Sequence, residues 1–155
     1  MPVTSAGILL YRKRKDIEYF LVHPGGPIWK NKDAGVWSIP KGVFDASEEP
    51  LKAALREFHE ETGFLLIAQE IITLTPVAQK CGKVIHGFAM EGDIEPSTIK
   101  SNFFEMEWPP KSGRKQSFPE VDRGKWFSLD EAILKANPQQ AKIIEELHGL
   151  LEPGR

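Results

Sequence analysis

A single cysteine, Cys81, stands among the 155 residues. An internal disulfide is therefore excluded, and a cysteine-based zinc site is not expected. Long hydrophobic runs are missing as well. The longest clean one, Phe64-Leu65-Leu66-Ile67-Ala68, falls far short of the ~20 residues that span a bilayer. Neither sign of charge dominates, since 20 Lys and Arg stand against 22 Asp and Glu, for a formal net charge of −2. No overall positive field is present to recruit nucleic acid or acidic lipid, so neither a membrane nor a strong nucleic-acid partner is expected. The opening residues, Met1-Pro2-Val3-Thr4-Ser5, lack the basic-then-apolar order of a secretory leader, and a cytoplasmic setting is the expectation. Internal repeats and low-complexity tracts are also absent.

What remains is an ordinary globular composition, 41% hydrophobic and 27% charged, of a length suited to one domain over residues 1–155. Two apolar runs, Ser5–Tyr11 and Ile17–Val22, flank a charged turn at Arg12–Asp16 and read as a hairpin. Pro24-Gly25-Gly26-Pro27 opens a loop to about Gly35, and a short extended piece, Val36–Pro40, leads into Lys41-Gly42. A helix is predicted over Glu48–Thr62, with Ser47 as its N-cap and Gly63 as its stop. Strands are predicted at Phe64–Ala68, Ile71–Val77, Lys83–Met90 and Lys125–Phe127, and residues 91–121 read as one long loop. Ser128-Leu129-Asp130-Glu131 has the form of a capping box, and Asn137-Pro138 interrupts the helix it opens before Gln139–Leu151 resumes. Strands mixed with helices place the chain in the α/β or α+β class.

Within the first helix, Leu51, Ala54, Leu55, Phe58 and Thr62 fall on one side and predict a core-facing stripe. Glu57, Glu60 and Glu61 project together from another face, where three carboxylates within one turn repel each other. Arg56 can pair with Glu60, but one cation does not neutralise three anions. A hard divalent cation does, and carboxylate oxygens suit Mg²⁺ or Mn²⁺. Taken alone, the cluster reads equally as an acidic, solvated helix face.

The surrounding residues decide between these readings. Gly42, five residues, Glu48, seven residues, then Arg56-Glu57-Phe58-His59-Glu60-Glu61-Thr62-Gly63-Phe64 resembles the signature of the Nudix hydrolases at every fixed position. Seven positions each demand one residue type, so a chance match arises at roughly one site in ten million. The resemblance implies a Nudix-type α/β/α sandwich around a central mixed β-sheet. It also implies a metal-dependent hydrolase that cleaves a diphosphate linkage in a nucleoside diphosphate joined to another group, with Mg²⁺ as cofactor and Mn²⁺ as a substitute. By likeness, Glu57, Glu60 and Glu61 are metal-binding carboxylates, the Gly42 carbonyl is a further ligand, and Arg56 with Glu48 is an orienting pair. A later loop commonly adds a ligand or base. Of Glu105, Glu107 and Glu120, the last is preferred because it precedes a strand-and-helix ending that resembles many relatives. Glu57 is the first choice for the general base and Glu61 the second.

Trp37-Ser38-Ile39-Pro40-Lys41-Gly42 resembles the dinucleoside polyphosphate hydrolases and the diphosphoinositol polyphosphate hydrolases, with the opening strand nearer the former. Diadenosine tetraphosphate is the expected kind of substrate. Alternatives are an oxidised or ordinary nucleoside triphosphate, the 5′ end of RNA, or a non-catalytic module that senses nucleotides. Lys41 and Trp37 are expected at the substrate, with Phe88, Trp108, Lys111 and Arg114 as candidates for stacking a base or holding phosphates. Trp29, like Phe88, is a possible base-stacking residue for which a packing role is the alternative.

Overall fold

The run Ser5–Tyr11 is apolar on both of its faces, the pattern of a strand covered on both sides, and it forms the centre of the sheet. The computed structural model describes residues 3–67 and 69–152. Met1, Pro2 and Ala68, on which parts of the leader and strand expectations fall, lie outside them. β1 (Thr4–Lys13) runs parallel to β6 (Val84–Glu91) along its length, with Thr4 beside Val84 and Tyr11 beside Glu91. Its other edge is divided. β2 (Ile17–Pro24) pairs antiparallel with the far end, Tyr11 to Lys13, and β3 (Lys41–Val43) pairs with Ser5 to Gly7. The segment between them bridges Val22 to Ser38 and donates no strand of its own, so residues 38–43 wedge into a fork between β1 and β2. β4 (Ile71–Thr73) and β5 (Val77–Ala78) pair with β6, and β9 (Val121–Phe127) closes the sheet against β2.

Helix α1 (Pro50–Thr62) covers one face, burying Ala53, Ala54 and Phe58 over Ala6, Ile8, Leu10, Phe20 and Phe88. Helices α2 (Leu129–Lys135) and α3 (Pro138–Leu151) cover the other, where Ile143, Ile144 and Leu147 meet Leu9, Tyr19, Leu21 and Phe127. The α/β/α sandwich around a mixed sheet is therefore observed. The break at Asn137-Pro138 is also observed, with Ser128 capping α2 and Asn137 capping α3.

Four local expectations are corrected. Ser47 is not the N-cap: its N–H and hydroxyl both turn back to Asp45, and α1 begins at Pro50 after Glu49, which caps with no side-chain bond. Residues 64–67 are not a strand. Phe64 and Leu66 pack on the core beneath α1, whereas Leu65 and Ile67 face outward with no partner strand. The predicted strand Ile71–Val77 divides into β4 and β5 around Thr75-Pro76. Finally, residues 91–121 are not one loop. They contain a 3₁₀ turn at Pro96–Thr98 and a separate hairpin of β7 (Phe103–Glu107) and β8 (Lys115–Pro119). Among the described residues no helix is long and apolar enough to cross a membrane.

Candidate active site

The fork in the sheet delivers Gly42 to the base of α1. Ala6 and Gly42 are partners in the β1–β3 ladder, and the Glu57 carboxylate lies directly over the Gly42 Cα. A Cβ placed on Gly42 would come within 1.9 Å of Glu57 Oε2, so the site has room for this carboxylate only because residue 42 has no side chain. Glu57 sits at the boundary of the buried stripe of α1, one turn from both Ala54 and Glu61, and its side chain keeps only 12% of its exposure. Its Oε2 is buried and accepts no hydrogen bond.

Arg56 organises the outer side of the cluster. Its Nε and Nη2 each donate to Glu48 at 2.9 Å, a two-pronged clamp across the helix start, and this holds the Glu48 carboxyl below its usual range. Its Nη1 donates to Glu60 at 3.0 Å and stands 3.5 Å from Glu57. Glu61 is anchored from the other direction, accepting the Lys41 backbone N–H at 3.2 Å. Burial, then the neighbouring Glu60 carboxylate, pushes Glu57 up to about 7, and burial with the charge of Glu57 pushes Glu61 up to about 8. Lys41 is lowered by burial, while Glu61 opposes that shift.

A cleft of about 210 Å³ opens beside these groups, lined by Val22, Pro24, Ser38, Lys41, Glu61, Glu120 and Val121. Glu120 reaches it through a chain of backbone bonds. The Asn102 N–H donates to Glu60 O, the Glu120 N–H donates to Asn102 O, and the Gly25 N–H donates to Glu120 O, at 2.8, 2.9 and 2.9 Å. Burial raises the Glu120 carboxyl too, with Lys41 pulling the other way.

Among the described residues no three carboxylate, imidazole or thiol groups are already gathered into a set shaped for a metal ion. Glu60 leans to Arg56 and Glu61 to the Lys41 amide. The residues nonetheless fit a divalent cation. Glu57 Oε2 is an orphaned buried oxygen, Gly42 leaves a cradle beside it, and the donors at hand are all oxygen. Raised carboxyls are what such a group shows without its counter-charge.

That state carries a pH signature. The folded chain holds protons on Glu57 and Glu61 up to about 7 and 8, whereas the unfolded chain releases them near the ordinary 4.5. Between these limits the folded state binds more protons, so these groups lower stability as pH rises. A divalent cation bound there would replace those protons. Added Mg²⁺ is therefore expected to raise the unfolding temperature more at about pH 8 than at about pH 5, and an equal gain at both would contradict the assignment.

Comparison with known proteins agrees with this geometry: the NUDIX domain family matches residues 1–147. The chain belongs to the Nudix hydrolase family. Nudix hydrolases generally use divalent metal ions. Curated relatives include a protein named RNA pyrophosphohydrolase from Bartonella henselae, 34% identical over 131 residues, which are 73% of this chain and 70% of that one. One of the same name from Bartonella tribocorum is 30% identical over 133 residues, 74% and 72% of the two chains. Among solved structures, the C. elegans Ap4A hydrolase binary complex superposes with a TM-score of 0.67 at 21% identity, covering 96% of this chain and 97% of that one. The NUDIX domain of Shewanella oneidensis NrtR, complexed with ADP ribose, gives 0.68 at 15% identity, with 98% and 90% covered.

The Nudix fold thus gathers Gly42, Arg56, Glu57, Glu60, Glu61, Lys41 and Glu120 at one place. Other residues expected at the substrate lie elsewhere. Trp37 is a core residue, 3% exposed, whose ring meets Phe127 and His23 and whose Nε1 donates to Asp33 at 2.8 Å. Its neighbour Ser38, on the opposite face, lines the cleft instead. Phe88 is buried beneath α1, because its position in β6 points into the core beside Ile8. Trp108, Lys111 and Arg114 sit at the β7–β8 turn, and at a rise of ~3.3 Å per residue that turn stands about 13 Å or more along β8 from Pro119. Glu105 and Glu107 are exposed on β7, and Glu107 accepts the Lys111 N–H at 2.8 Å. Trp29 lies on the exposed loop after β2, with Lys32 over its ring.

Proposed function

We propose that this chain, a single Nudix domain over residues 1–155 acting in the cytoplasm, is a metal-dependent pyrophosphohydrolase whose substrate is a dinucleoside polyphosphate such as diadenosine tetraphosphate. The observation that carries the reading is the orphaned Glu57 carboxylate over Gly42, beside a cleft that also presents a lysine ammonium. Glu57, Glu60, Glu61, the Gly42 carbonyl and Glu120 would hold Mg²⁺, or Mn²⁺ in its place. When bound, the cation neutralises charge that develops on the phosphoryl oxygens and helps to orient water.

The chain's own groups supply the remainder. Glu57 would take the proton of the attacking water, and Glu61 is the second choice for that role. Arg56, fixed by Glu48, holds Glu60 and sets its positive charge beside Glu57. Lys41 meets an additional phosphate at the cleft mouth. A second reading, removal of pyrophosphate from the 5′-triphosphate end of RNA, is favoured by the names of the curated relatives.

Product analysis tests both. Incubation with diadenosine tetraphosphate is expected to release ATP and AMP only when Mg²⁺ or Mn²⁺ is present. A 5′-triphosphorylated oligoribonucleotide, tried in parallel, would yield pyrophosphate under the second reading. Cleavage of neither substrate with either metal would overturn both assignments.

A further inference from the structure

Beyond the carboxylate cleft, a second cavity of about 260 Å³ lies on the opposite face of the sheet, lined by Asp33, Trp37, Arg123, Gly124, Lys125, Phe127 and Lys135. Three cations face it and one carboxylate. That carboxylate is already engaged, because Asp33 pairs with Lys135 through Oδ2 and accepts the Trp37 Nε1–H through Oδ1. Among the described residues neither Arg123 nor Lys125 has a carboxylate within 4.0 Å, although the charge of Arg123 helps to hold the Asp33 carboxyl low. Each rests on an aromatic ring, Arg123 at 5.4 Å from the Trp37 centroid and Lys125 at 5.4 Å from that of Phe127.

The placement follows from strand alternation. Arg123, Lys125 and Phe127 occupy every second position of β9, so all three point to one face. Arg123 and Lys125 are both exposed on that face, which leaves their charged ends open to an incoming ligand. The rings beneath are fixed, since Trp37 and Phe127 are core residues packed edge to face at 5.0 Å. Cations seated on a rigid apolar floor lose little freedom on meeting an anion, and the low-dielectric wall concentrates their field. A planar guanidinium beside an ammonium is a donor set suited to phosphate oxygens.

We propose that this cavity is a second phosphate-binding site, formed by Arg123 and Lys125 over Trp37 and Phe127, that takes a phosphate group of a nucleotide or of a nucleic-acid strand. It has no lining residue in common with the carboxylate cleft, but the same two segments serve both, since Trp37 lines one and Ser38 the other, and Arg123 follows Glu120 and Val121 by a few residues. It does not depend on which polyphosphate the carboxylate cleft cleaves.

The test is direct binding in EDTA, with two probes that need no cleavage: inorganic pyrophosphate and a fluorescein-labelled 5′-hydroxyl oligoribonucleotide. The variant Arg123→Gln/Lys125→Gln is expected to weaken at least one probe by about tenfold, and to lower the salt slope for the strand by about 1.4 if two phosphate contacts are lost. The control Arg14→Gln/Lys15→Gln removes the same charge from the exposed β1–β2 turn and should leave affinity within about twofold. Full competition by pyrophosphate would identify a free phosphate or nucleotide as the occupant, and binding of the oligonucleotide alone would identify a strand. Either supports the site. Failure of the wild-type protein to bind either probe, or equal loss in both double variants, would overturn it.

Discussion

Replacing Glu57 with Gln is expected to cut turnover at least about a hundredfold and yet to make the metal-free protein more stable. The two effects have one cause. Glu57 Oε2 is buried without a partner, and the group is held near 7 by burial and by Glu60, so its charge is costly in the fold until a cation is present. Glutamine keeps the shape and removes that cost, which should add about 1 kcal/mol in EDTA near pH 8. It also removes the anionic oxygen and the base. Steady-state rates with saturating Mg²⁺, set beside thermal unfolding in EDTA, read both quantities. Glu61→Gln should behave similarly in rate, with a gain in metal-free stability at least as large, because Glu61 is pushed further up, to about 8, and a glutamine oxygen can still accept the Lys41 N–H. Rates near those of the parent in both variants would remove the metal assignment.

Gly42→Ala is expected to be the second severe change, by a different route. The added methyl group would overlap the Glu57 carboxyl group, with Oε2, Cδ and Oε1 all within 2.1 Å of it. The obstacle is the end of a flexible side chain, so Glu57 can rotate away and the fold should lose no more than about 1 kcal/mol. The carboxylate itself is then displaced by about 1 Å or more, and misplacement on that scale costs on the order of a hundredfold in rate. Unfolding close to that of the parent, combined with severely reduced turnover and weakened Mg²⁺ binding, is the expected pair of results. A stable variant with normal turnover would show that the approach of Glu57 to Gly42 is not what the chemistry requires.

Both residues were readable before the fold because helical spacing and a nearly unmixed motif carry them. Glu57, Glu60 and Glu61 share a face by the geometry of α1, and Gly42 belongs to the same signature. The central strands were readable for a related reason, since Ala6 through Tyr11 are apolar without alternation. What escaped depended on contacts distant in sequence. In the sequence Trp37 reads as a substrate contact because it precedes Lys41-Gly42, but the bridge of Val22 to Ser38 turns Ser38 toward the cleft and leaves Trp37 in the core. Phe88 has no local signal that distinguishes a core ring from a stacking ring. The β7–β8 hairpin was hidden because its two strands are short and largely exposed, and because Pro, Ser and Gly at its turn give the whole stretch the composition of a loop. The cations of β9, which make no close ion pair among the described residues, were invisible for the opposite reason. Alternating charges look like any solvated strand until the rings beneath them and the single engaged Asp33 are in view.

The hairpin of β7 and β8 forms a two-stranded sheet apart from the main one, and it joins the site through Asn102 and Glu120 at its two ends. Those ends are stitched to Glu60 of α1 and to Gly25, so the foot of the hairpin is fixed by backbone bonds that at Asn102 and Glu120 any residue type except proline can make. Apart from Phe104 and Phe118, which lie against Gly26, the segment between them is free to lengthen, shorten or change composition at little expense to the carboxylates. In evolutionary terms the hairpin is a cassette. Descendants of this chain can explore different outer contacts by exchanging residues 103–119 while inheriting the same hydrolytic centre intact.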